Sequence, residues 1–471
     1  MNPLLFSAEQ HAEAARLVAE FSADYLATLD ARPVFPAVDR AALRALKSAP
    51  LPDDGVPLAT LFAELEQVVV ANSTHTAHPR FLPYVQPSPN GLSPYADQVA
   101  AVLNQNCNLW HLSPAANTVE QAVLGWFATL FGLPDDAGGI ITSGGSMANL
   151  VALTAARDRH LGADARRLGL QRRDSPLVLY TSDQTHSSID KAVSVLGLGT
   201  EHLRRIESDA AFRIRQDLLA QAVAADRAAG RTPFCVVANA GTVTTGAIDP
   251  LPELARFCRD EALWLHVDGA YGALAALSPR FRGPLAALAL ADSVSLDPHK
   301  FLFCALEAGC VLVRNRADLQ HAFAASPSYL TMSDDPDFVD FANLGPQLSR
   351  AFKALKVWWS LKHFGARNYG RVVDRMADLA AYMGTQVDLR DGFRLLAPVT
   401  FNCVCFRLTG LDDAGNRRAL KALVDSGDAF LGPASVKGET GLRACFMNLR
   451  TTEADVSLIL DRLERIAREL A

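Results

Sequence analysis

The segment LWLHVDGAYGALAALSPRFRGPLAALALADSVSLDPHKF, residues 263–301, contains two short apolar stretches that each end in an aspartate, with a helical stretch between them. Short buried strands that alternate with helices are typical of a largely parallel sheet that is covered on both faces. The alternation extends in both directions, from about residue 95 to 320, with strands predicted at GGIIT, LVLYT, FCVVAN, LWLHVD, SVSLD and GCVLVR. The sequence therefore predicts an α/β fold for the centre of the chain.

Different patterns occupy the chain on either side of this α/β region. Apolar residues recur at helical spacing in AEAARLVAEFSADYLATL and ATLFAELEQVVV near the N-terminus. After residue 345, two helices, two or three strands and a final amphipathic helix predict a separate α+β lobe. A chain of 471 residues is too long for one ordinary core. We expect an N-terminal helical segment at 1–80, a large domain at 81–345 and a smaller α+β domain at 346–471.

The composition argues against several classes of protein. The net charge of −6 and the lack of a basic run speak against a nucleic-acid partner. No stretch reaches the roughly 18 apolar residues of a membrane span, and the N-terminus MNPLLFSAEQ lacks the pattern of a signal peptide. The eight cysteines are scattered through apolar runs, which is typical of reduced, buried thiols and indicates a cytoplasmic protein without a metal site.

The carboxyl ends of the strands form the edge at which open parallel sheets bind ligands. The first predicted strand, GGIIT, runs into the segment SGGS and then into a helix. Glycines let the backbone approach an anion, and the helix N-terminus offers free N–H groups. Gly145 and Ser146 are therefore candidate phosphate ligands, although a serine at the start of a helix after a glycine turn is also common as plain structure.

Three further strands run into candidate side chains. His186 follows LVLYT, Thr242 follows FCVVAN, and Asp268 ends LWLHVD. A carboxylate at the end of an apolar strand needs a partner, because burying an unpaired charge is costly. The protonated ring nitrogen of pyridoxal 5'-phosphate (PLP) is such a partner, and a carboxylate that keeps this ring protonated makes it an electron sink.

The distribution of lysine points to amine chemistry at the next strand end. Only eight of the 45 basic residues are lysine. Between Lys191 and Lys353 the sequence has one lysine, Lys300, in the segment DPHK that follows SVSL. Arginine serves most structural charge roles, but a guanidinium does not form an imine. Lys300 is therefore the candidate for covalent binding of PLP.

Seven motifs occur in the order found in one known family: SPAANTVEQ, TSGGSMANL, SDQTHSS, AGTVTTGAIDP, LHVDGAYG, DPHKF and SPSYLT. On these motifs the chain resembles the group II PLP-dependent amino-acid decarboxylases, which include the aromatic-L-amino-acid, glutamate and 2,4-diaminobutyrate enzymes. The resemblance implies the type I PLP-dependent transferase fold, with a mostly parallel seven-stranded sheet. It also implies a homodimer with the active site at its interface and the N-terminal segment packed on the partner.

The resemblance assigns roles to the matching residues. Lys300 looks like the Schiff-base lysine, His186 like the histidine stacked on the ring, and Asp268 like the carboxylate at the ring nitrogen. The other matches imply cofactor contacts for Gly145, Ser146, Thr242, Ala270 and His299, proton transfer for Tyr329, and substrate contacts for Tyr84, Gln86, Asn108, Trp110 and Arg443.

Two departures from the family pattern bear on the site. Asp297 stands where the aromatic enzymes have asparagine, and we expect it to point elsewhere because a phosphate repels an acidic side chain. Val85, Gln86, Asn106 and Asn108 make the predicted substrate pocket more polar than in the dopa and tryptophan enzymes. We therefore expect a small or polar L-amino acid to be accepted at least as readily as an aromatic one.

Taken together, the residues predict a PLP-dependent decarboxylase that converts an L-amino acid to its amine and CO2. An aldehyde synthase, which couples decarboxylation to oxidative deamination, and an aminotransferase remain alternatives within PLP chemistry. Tyr329 favours decarboxylation, because the aldehyde-forming relatives typically carry phenylalanine at this position. A non-catalytic nucleotide-binding or scaffold protein is the least favoured alternative, since it leaves Lys300 and Asp268 unexplained.

Overall fold

The computed structural model describes residues 2, 4–162, 165–170, 175–324 and 338–470. Within these residues the α-helices, numbered in chain order, are α1 Ala8–Thr28, α2 Arg40–Ser48, α3 Leu58–Glu64, α4 Ser93–Leu103, α5 Pro114–Phe131, α6 Gly145–Leu161, α7 Ala165–Leu168, α8 Ser188–Val195, α9 Gln216–Ala228, α10 Leu251–Asp260, α11 Pro279–Leu285, α12 Pro298–Phe301, α13 Arg316–Phe323, α14 Ala354–Phe364, α15 Ala366–Leu389, α16 Asp413–Asp425 and α17 Glu453–Leu470. The strands are β1 Phe81–Leu82, β2 Gly138–Thr142, β3 Leu177–Ser182, β4 Leu203–Ile206, β5 Thr232–Asn239, β6 Trp264–Asp268, β7 Ser293–Leu296, β8 Gly309–Val313, β9 Phe393–Leu395, β10 Cys403–Leu408, β11 Phe430–Val436 and β12 Glu439–Cys445.

The larger sheet has seven strands in the order β2-β8-β7-β6-β5-β3-β4. Neighbouring strands are parallel except at β8, which runs antiparallel to both β2 and β7. All residues of β7 and β8 are buried, and because successive side chains point to opposite faces, both faces of the sheet are covered there. The prediction of a mostly parallel seven-stranded α/β sheet is confirmed.

The strand that the sequence pattern did not reveal is β4, at the edge of the large sheet. Its two middle residues, Arg204 and Arg205, are charged, and only Leu203 and Ile206 at its ends are buried. Charged side chains are common on edge strands, because they discourage pairing with another chain. The same charges remove the apolar run that predicted the other six strands of this sheet.

A smaller sheet of five strands, in the order β1-β11-β12-β10-β9, lies with α15, α16 and α17 in the C-terminal part of the chain. Its strands pair antiparallel, except that β1 runs parallel to β11. Residues 81 and 82 thus pair with the C-terminal sheet, although they begin the predicted large domain. The smaller α+β lobe is confirmed as a feature of the fold, and the domain boundaries stay a prediction.

The first three helices contribute little to the core. Helix α1 is capped by Ser7, whose hydroxyl accepts the N–H of Gln10 while the Gln10 side chain accepts the N–H of Ser7. Despite this well-formed start, α1, α2 and α3 bury no residue. Across the described part of the chain, no helix is both long and apolar enough to cross a membrane.

Candidate active site

A cavity of about 470 Å³ lies at the carboxyl ends of β5, β6 and β7. Its wall includes residues 143–147 at the start of α6, His186 after β3, and Lys300 after β7. Asn239 and Asp268, the last residues of β5 and β6, complete this edge. The strand ends that the sequence singled out therefore meet at one cavity, as expected for an open parallel sheet.

Lys300 lies in the short helix α12, directly after β7. Its Nζ atom is 3.1 Å from Oδ2 of Asp297, and its side chain is only 20% exposed. Because the amine faces the cavity from a rigid strand end, a carbonyl compound bound there is within its reach. The structure thus brings Lys300 to the site, in agreement with its predicted position.

Asp268 ends β6, and its carboxylate is held in place by three hydrogen bonds. Oδ2 accepts from Nδ2 of Asn149 at 2.9 Å, and Oδ1 accepts from the Ala270 N–H and the Ser295 hydroxyl, both at 3.2 Å. Together these donors fix the orientation of both carboxylate oxygens. A fixed, buried carboxylate at the cavity wall can accept a proton-bearing ring nitrogen.

His186 follows β3, whose carboxyl end lies at the same edge of the sheet, and it comes just before α8. The backbone N–H of Ser188 donates to its Nδ1 atom at 3.1 Å, so the proton of the neutral ring is on Nε2. Burial lowers the pKa of His186, and the negative charge of Asp268 partly opposes this shift. The imidazole is therefore held neutral in one tautomer at the cavity wall.

The start of α6 forms a cradle for an anion. The first hydrogen bond of this helix joins the Ala148 N–H to the Gly144 carbonyl, so the N–H groups before Ala148 lie outside the helical ladder. A Cβ atom on Gly145 would lie 2.6 Å from Cβ of Ala270 and 3.0 Å from Oδ2 of Asp297. Only glycine allows this approach of backbone to the cavity without a shift, and Ser146 adds a hydroxyl.

The expectation that Asp297 points elsewhere is wrong. Its carboxylate lines the cavity, with Oδ2 close to Lys300 and 3.6 Å from Nε2 of His299. The amine of Lys300 accounts for this orientation, because it is the cation that a buried carboxylate needs. His299 also lines the cavity, and its Nδ1 atom accepts the N–H of Ala308, while burial lowers its pKa.

Two of the predicted substrate residues line the cavity. They are Tyr84 and Arg443, and Arg443 reaches it from β12 of the smaller sheet. Gln86, Asn108 and Trp110 are not part of the cavity wall within this chain. The indole of Trp110 instead stacks on Phe338 at a centroid distance of 3.7 Å. The substrate contacts predicted for Tyr84, Gln86, Asn108, Trp110 and Arg443 stay predictions.

Thr242 and Tyr329 are the remaining predicted site residues. Thr242 is buried, and its hydroxyl accepts the N–H of Ala247 within its own turn, so its neighbours Gly241 and Val243 line the cavity in its place. Tyr329 falls in 325–337, outside the described residues. The described structure therefore does not test the cofactor contact predicted for Thr242 or the proton transfer predicted for Tyr329.

Several polar residues of the cavity wall were not predicted from the sequence, above all Asn149, Ser188 and Asn239. Asn149 lies three residues after Ser146 on α6, which places both on the face that meets the strand ends. Asn239 is the last residue of β5 and sits beside Asp268 in the sheet register. Asn239 ends a predicted strand and Ser188 begins the helix after another, so the rule of strand ends covers both, whereas Asn149 lies beyond the first turn of α6.

Comparison with known proteins now identifies the family. A family model described as the pyridoxal-dependent decarboxylase conserved domain matches residues 41–409. The chain belongs to the pyridoxal-dependent decarboxylase family. This decarboxylase is 35% identical over 477 aligned residues to an aromatic-L-amino-acid decarboxylase of Bacillus atrophaeus, an alignment that covers 99% of this chain and 98% of the relative.

Solved structures of similar proteins agree with this membership. The crystal structure of Oryza sativa TDC with PLP and tryptamine has a TM-score of 0.93 and 28% identity, covering 100% of this chain and 99% of that one. The crystal structure of the glutamate decarboxylase domain of diaminobutyrate-pyruvate transaminase and L-2,4-diaminobutyrate decarboxylase from Vibrio parahaemolyticus has a TM-score of 0.88 and 26% identity. It covers 99% of this chain and 97% of that one.

The residues of the cavity fit the cofactor of this family. PLP requires an amine for covalent binding, a carboxylate at its ring nitrogen and donors for its phosphate, and the cavity offers Lys300, Asp268 and the start of α6 for these purposes. The predictions of the family, of PLP as cofactor and of an amino-acid carboxy-lyase are confirmed. The decarboxylase names of the relatives do not favour the aldehyde synthase alternative.

Proposed function

We propose that this decarboxylase acts on an aromatic L-amino acid and that Arg443 binds the α-carboxylate of the substrate. One observation carries the proposal. The guanidinium of Arg443 is a buried cation with no acidic partner among the described residues, and it stands at the wall of the cavity that holds Lys300. A buried charge of this kind needs an anion, and the substrate brings one.

The contacts of Arg443 leave room for a carboxylate. Nη1 donates to the carbonyl of Val243 at 2.8 Å and Nη2 to the carbonyl of Pro83 at 3.0 Å. Each of these atoms carries a second N–H, and Nε makes no hydrogen bond to any of the residues that the structure describes. Carbonyl partners orient the guanidinium without neutralising it, so its charge remains for a carboxylate, which guanidinium groups bind well.

The catalytic roles follow the positions of the side chains. When bound, PLP supplies the electron sink that takes up the electron pair left behind as CO2 departs. Lys300 would hold the cofactor covalently, and Asp268 would hold the proton on its ring nitrogen. Gly145, Ser146 and the N-terminus of α6 would bind its phosphate.

Decarboxylation replaces the α-carboxylate by a proton, so an acid must reach the α-carbon. Tyr329 is the proposed donor, on the family resemblance alone. His186 supports the transfer from the ring face, because its Nδ1 atom is occupied by the Ser188 N–H and its proton is held on Nε2. Proton transfer from a positioned side chain typically contributes about 10²–10⁴-fold to a rate.

We propose that the side chain of the substrate lies on the part of the cavity wall that includes Tyr84, Val85 and Val243. Of the acidic groups that line the described cavity, Asp268 is engaged by Asn149 and Ser295, and Asp297 by Lys300. A basic substrate side chain therefore lacks a free partner. With Arg443 assigned to the α-carboxylate, an acidic side chain lacks one as well, which favours an aromatic side chain.

The polar residues behind the expectation of a polar substrate lie away from the cavity within this chain. Oδ1 of Asn106 accepts the N–H of Arg350, and Oδ1 of Asn108 accepts the N–H of Leu109. Gln86 is not part of the wall either. Aromatic substrates are supported instead by the tyrosine and valine side chains at the cavity wall and by the name of the relative that is 35% identical.

We also propose a homodimer in which the N-terminal segment packs on the partner. Helix α1 has 21 residues and buries none of them within its own chain. Leu4, Leu5 and Phe6 before it are 87%, 68% and 44% exposed. Apolar side chains exposed in a row favour a partner surface. A second copy would cover them, and light scattering at micromolar concentration would contradict the proposal if it gave the mass of a fully active monomer.

A cytoplasmic location is part of the same proposal. All eight cysteines, each within the described part of the chain, are free and buried. Buried free thiols are typical of proteins kept in a reducing compartment.

The substrate proposal is tested by the specificity constants for two sets of L-amino acids. One set is tryptophan, tyrosine, dopa and phenylalanine, and the other is glutamate, 2,4-diaminobutyrate, cysteine sulfinate and histidine. We expect the best aromatic substrate to exceed every polar one by more than about tenfold, roughly 1.4 kcal/mol of transition-state preference. A polar amino acid as the best substrate would contradict the proposal.

The role of Arg443 is tested by comparing ligands with and without a carboxylate. Arg443→Gln should raise KM for the amino acid by about tenfold or more, since a hydrogen bond to a charged group is lost. The affinity for the product amine, which lacks the carboxylate, should stay the same. Arg394→Gln, on an exposed arginine of β9, is the control. Equal weakening of amino acid and amine would show that Arg443 is only structural.

A further inference from the structure

A continuous chain of hydrogen bonds leads from the far end of β6 to Asp268. Trp264, His266 and Asp268 alternate along β6, so their side chains share one face of the sheet. Nε1 of Trp264 donates to Oγ of Ser293 at 2.8 Å, and Nδ1 of His266 lies 2.9 Å from the same oxygen. Nε2 of His266 lies 3.0 Å from Oδ1 of Asn149, whose Nδ2 donates to Asp268 at 2.9 Å.

The residues at the two ends of this series of hydrogen bonds, Trp264 and Asp268, determine which atom donates and which accepts in every bond between them. A carboxylate only accepts hydrogen bonds, so Asn149 must turn its NH2 group to Asp268 and its carbonyl oxygen to His266. His266 must then carry its proton on Nε2 and accept at Nδ1 from the hydroxyl of Ser293. The indole N–H of Trp264, which only donates, closes the chain at Ser293. Burial lowers the pKa of His266, which agrees with a neutral ring.

The amide of Asn149 joins two parts of the active site. Its second N–H donates to Oγ of Ser188 at 3.0 Å, and the backbone N–H of Ser188 holds Nδ1 of His186. One NH2 group thus fixes both the carboxylate at the ring nitrogen and the residue that orients the histidine at the ring face. A reversed amide would turn its oxygen toward the carboxylate of Asp268 and lose the hydrogen bond to it.

We propose that His266 is a positioning residue of this decarboxylase: by donating from Nε2 it holds the Asn149 amide in the one orientation that aligns Asp268 and His186 with the cofactor. His266 is fully buried and does not line the cavity, so it acts only through Asn149. The inference rests on the proposed roles of Asp268 and His186. It adds a second layer of residues on which the ring contacts depend.

A matched pair of substitutions separates this role from simple packing. Gln at position 266 places an N–H group near the position of the imidazole Nε2, whereas Asn places its amide near Nδ1. His266→Gln therefore keeps the donor to Asn149, and His266→Asn removes it. His363→Asn, an exposed histidine on α14, controls for histidine replacement as such.

Two readouts on these variants do not depend on turnover. The first is the dissociation constant of PLP, from titration of the apoenzyme, and the second is the ¹⁵N NMR shift of PLP labelled at its ring nitrogen. His266→Asn should weaken PLP binding by about tenfold, the effect of one lost hydrogen bond to a charged group, and move the ¹⁵N signal toward that of an unprotonated ring. His266→Gln should stay within about threefold of the wild type and keep the signal.

Each result with these variants either supports or overturns the positioning role of His266. Wild-type PLP affinity and signal in His266→Asn would overturn it, and so would an equal loss in both variants. If the His266 variants do not fold, Ser293→Ala removes the hydroxyl that donates to Nδ1 of His266 and fixes its tautomer. Unchanged PLP binding and ¹⁵N signal there would overturn the proposal, whereas weaker binding with a shifted signal would support it. Asp268→Asn is the reference: an unchanged ¹⁵N signal in that variant would refute the ring-nitrogen role of Asp268 itself, a failure distinct from that of His266 alone.

Discussion

The backbone N–H of Ser188 donates to Nδ1 of His186 at 3.1 Å, and this bond sets the tautomer of the histidine that faces the cofactor cavity. A ring that accepts at Nδ1 has its proton on Nε2 when neutral. Burial lowers the pKa of His186, so the neutral form is the one present near pH 7. The histidine thus offers both a flat ring and one N–H group to the cavity.

The contributions of the ring and of the N–H group can be separated by substitution. His186→Phe keeps a ring of similar size but has no N–H, so we expect the PLP dissociation constant to stay within about threefold while kcat falls about 10²-fold. His186→Gln keeps an N–H without the ring and should weaken PLP binding more than His186→Phe does. Wild-type kcat in His186→Phe would show that the imidazole takes no part in proton transfer.

Acid should destabilise the protein through its histidines. Burial, followed by the charge of Arg80, lowers the pKa of His78 to about 4, and burial also lowers the pKa of other histidines, namely His75, His186, His266 and His299. The unfolded chain, with an ordinary histidine pKa near 6.5, binds more protons than the folded chain between about pH 4 and 6.5. The contribution of these histidines to the free energy of unfolding is therefore fully present above about pH 6.5, and it is lost as the pH falls through this range.

His78→Asn tests the contribution of one histidine to this pH dependence. Nδ1 of His78 accepts the N–H of Arg80, an acceptor role that the asparagine oxygen can keep, while the titrating ring is gone. Between pH 7.5 and 5, the melting temperature of His78→Asn should fall less than that of the wild type. The exposed His363 supplies the control, and an equal fall in wild type and His78→Asn would contradict the assignment.

The thiols should be unreactive in the folded protein. All eight cysteines are buried, and burial raises the pKa of Cys107 to about 11 and that of Cys304 to about 12. Since the thiolate is the reactive form, a thiol reagent at pH 8 should modify almost no cysteine in the native protein and all eight after denaturation. Rapid modification of several native thiols would contradict the described burial.

The proposed role of Tyr329 as the proton donor predicts that this residue decides between amine and aldehyde, although it lies outside the described residues. Tyr329→Phe removes one hydroxyl, so we expect loss of amine and formation of aldehyde, ammonia, CO2 and hydrogen peroxide, with O2 and one water consumed. Product analysis under air and under nitrogen measures this, and the aldehyde should vanish without O2. A variant that still makes only amine at the original rate would assign the proton to another group.

Individual residues show how much of the site can be predicted from the sequence. Lys300, Asp268 and His186 could be predicted because strand ends can be read from apolar runs and because parallel strands bring their carboxyl ends together. His266 and Asn149 could not, since a polar residue within a strand or helix pattern looks the same whether it is solvated or joined to a buried network. The direction of Asp297 depended on the position of the Lys300 amine in space, which the sequence does not contain.

Covalent trapping of the cofactor tests the central claim most directly. Reduction of the PLP-loaded enzyme with borohydride converts the bond between lysine and cofactor to a stable amine, and the mass of the modified peptide identifies the lysine. We predict one modified residue, Lys300, and no modification in a Lys300→Ala variant that keeps the wild-type fold by circular dichroism. Trapping on any other lysine, or undiminished trapping in Lys300→Ala, would contradict this account of the site.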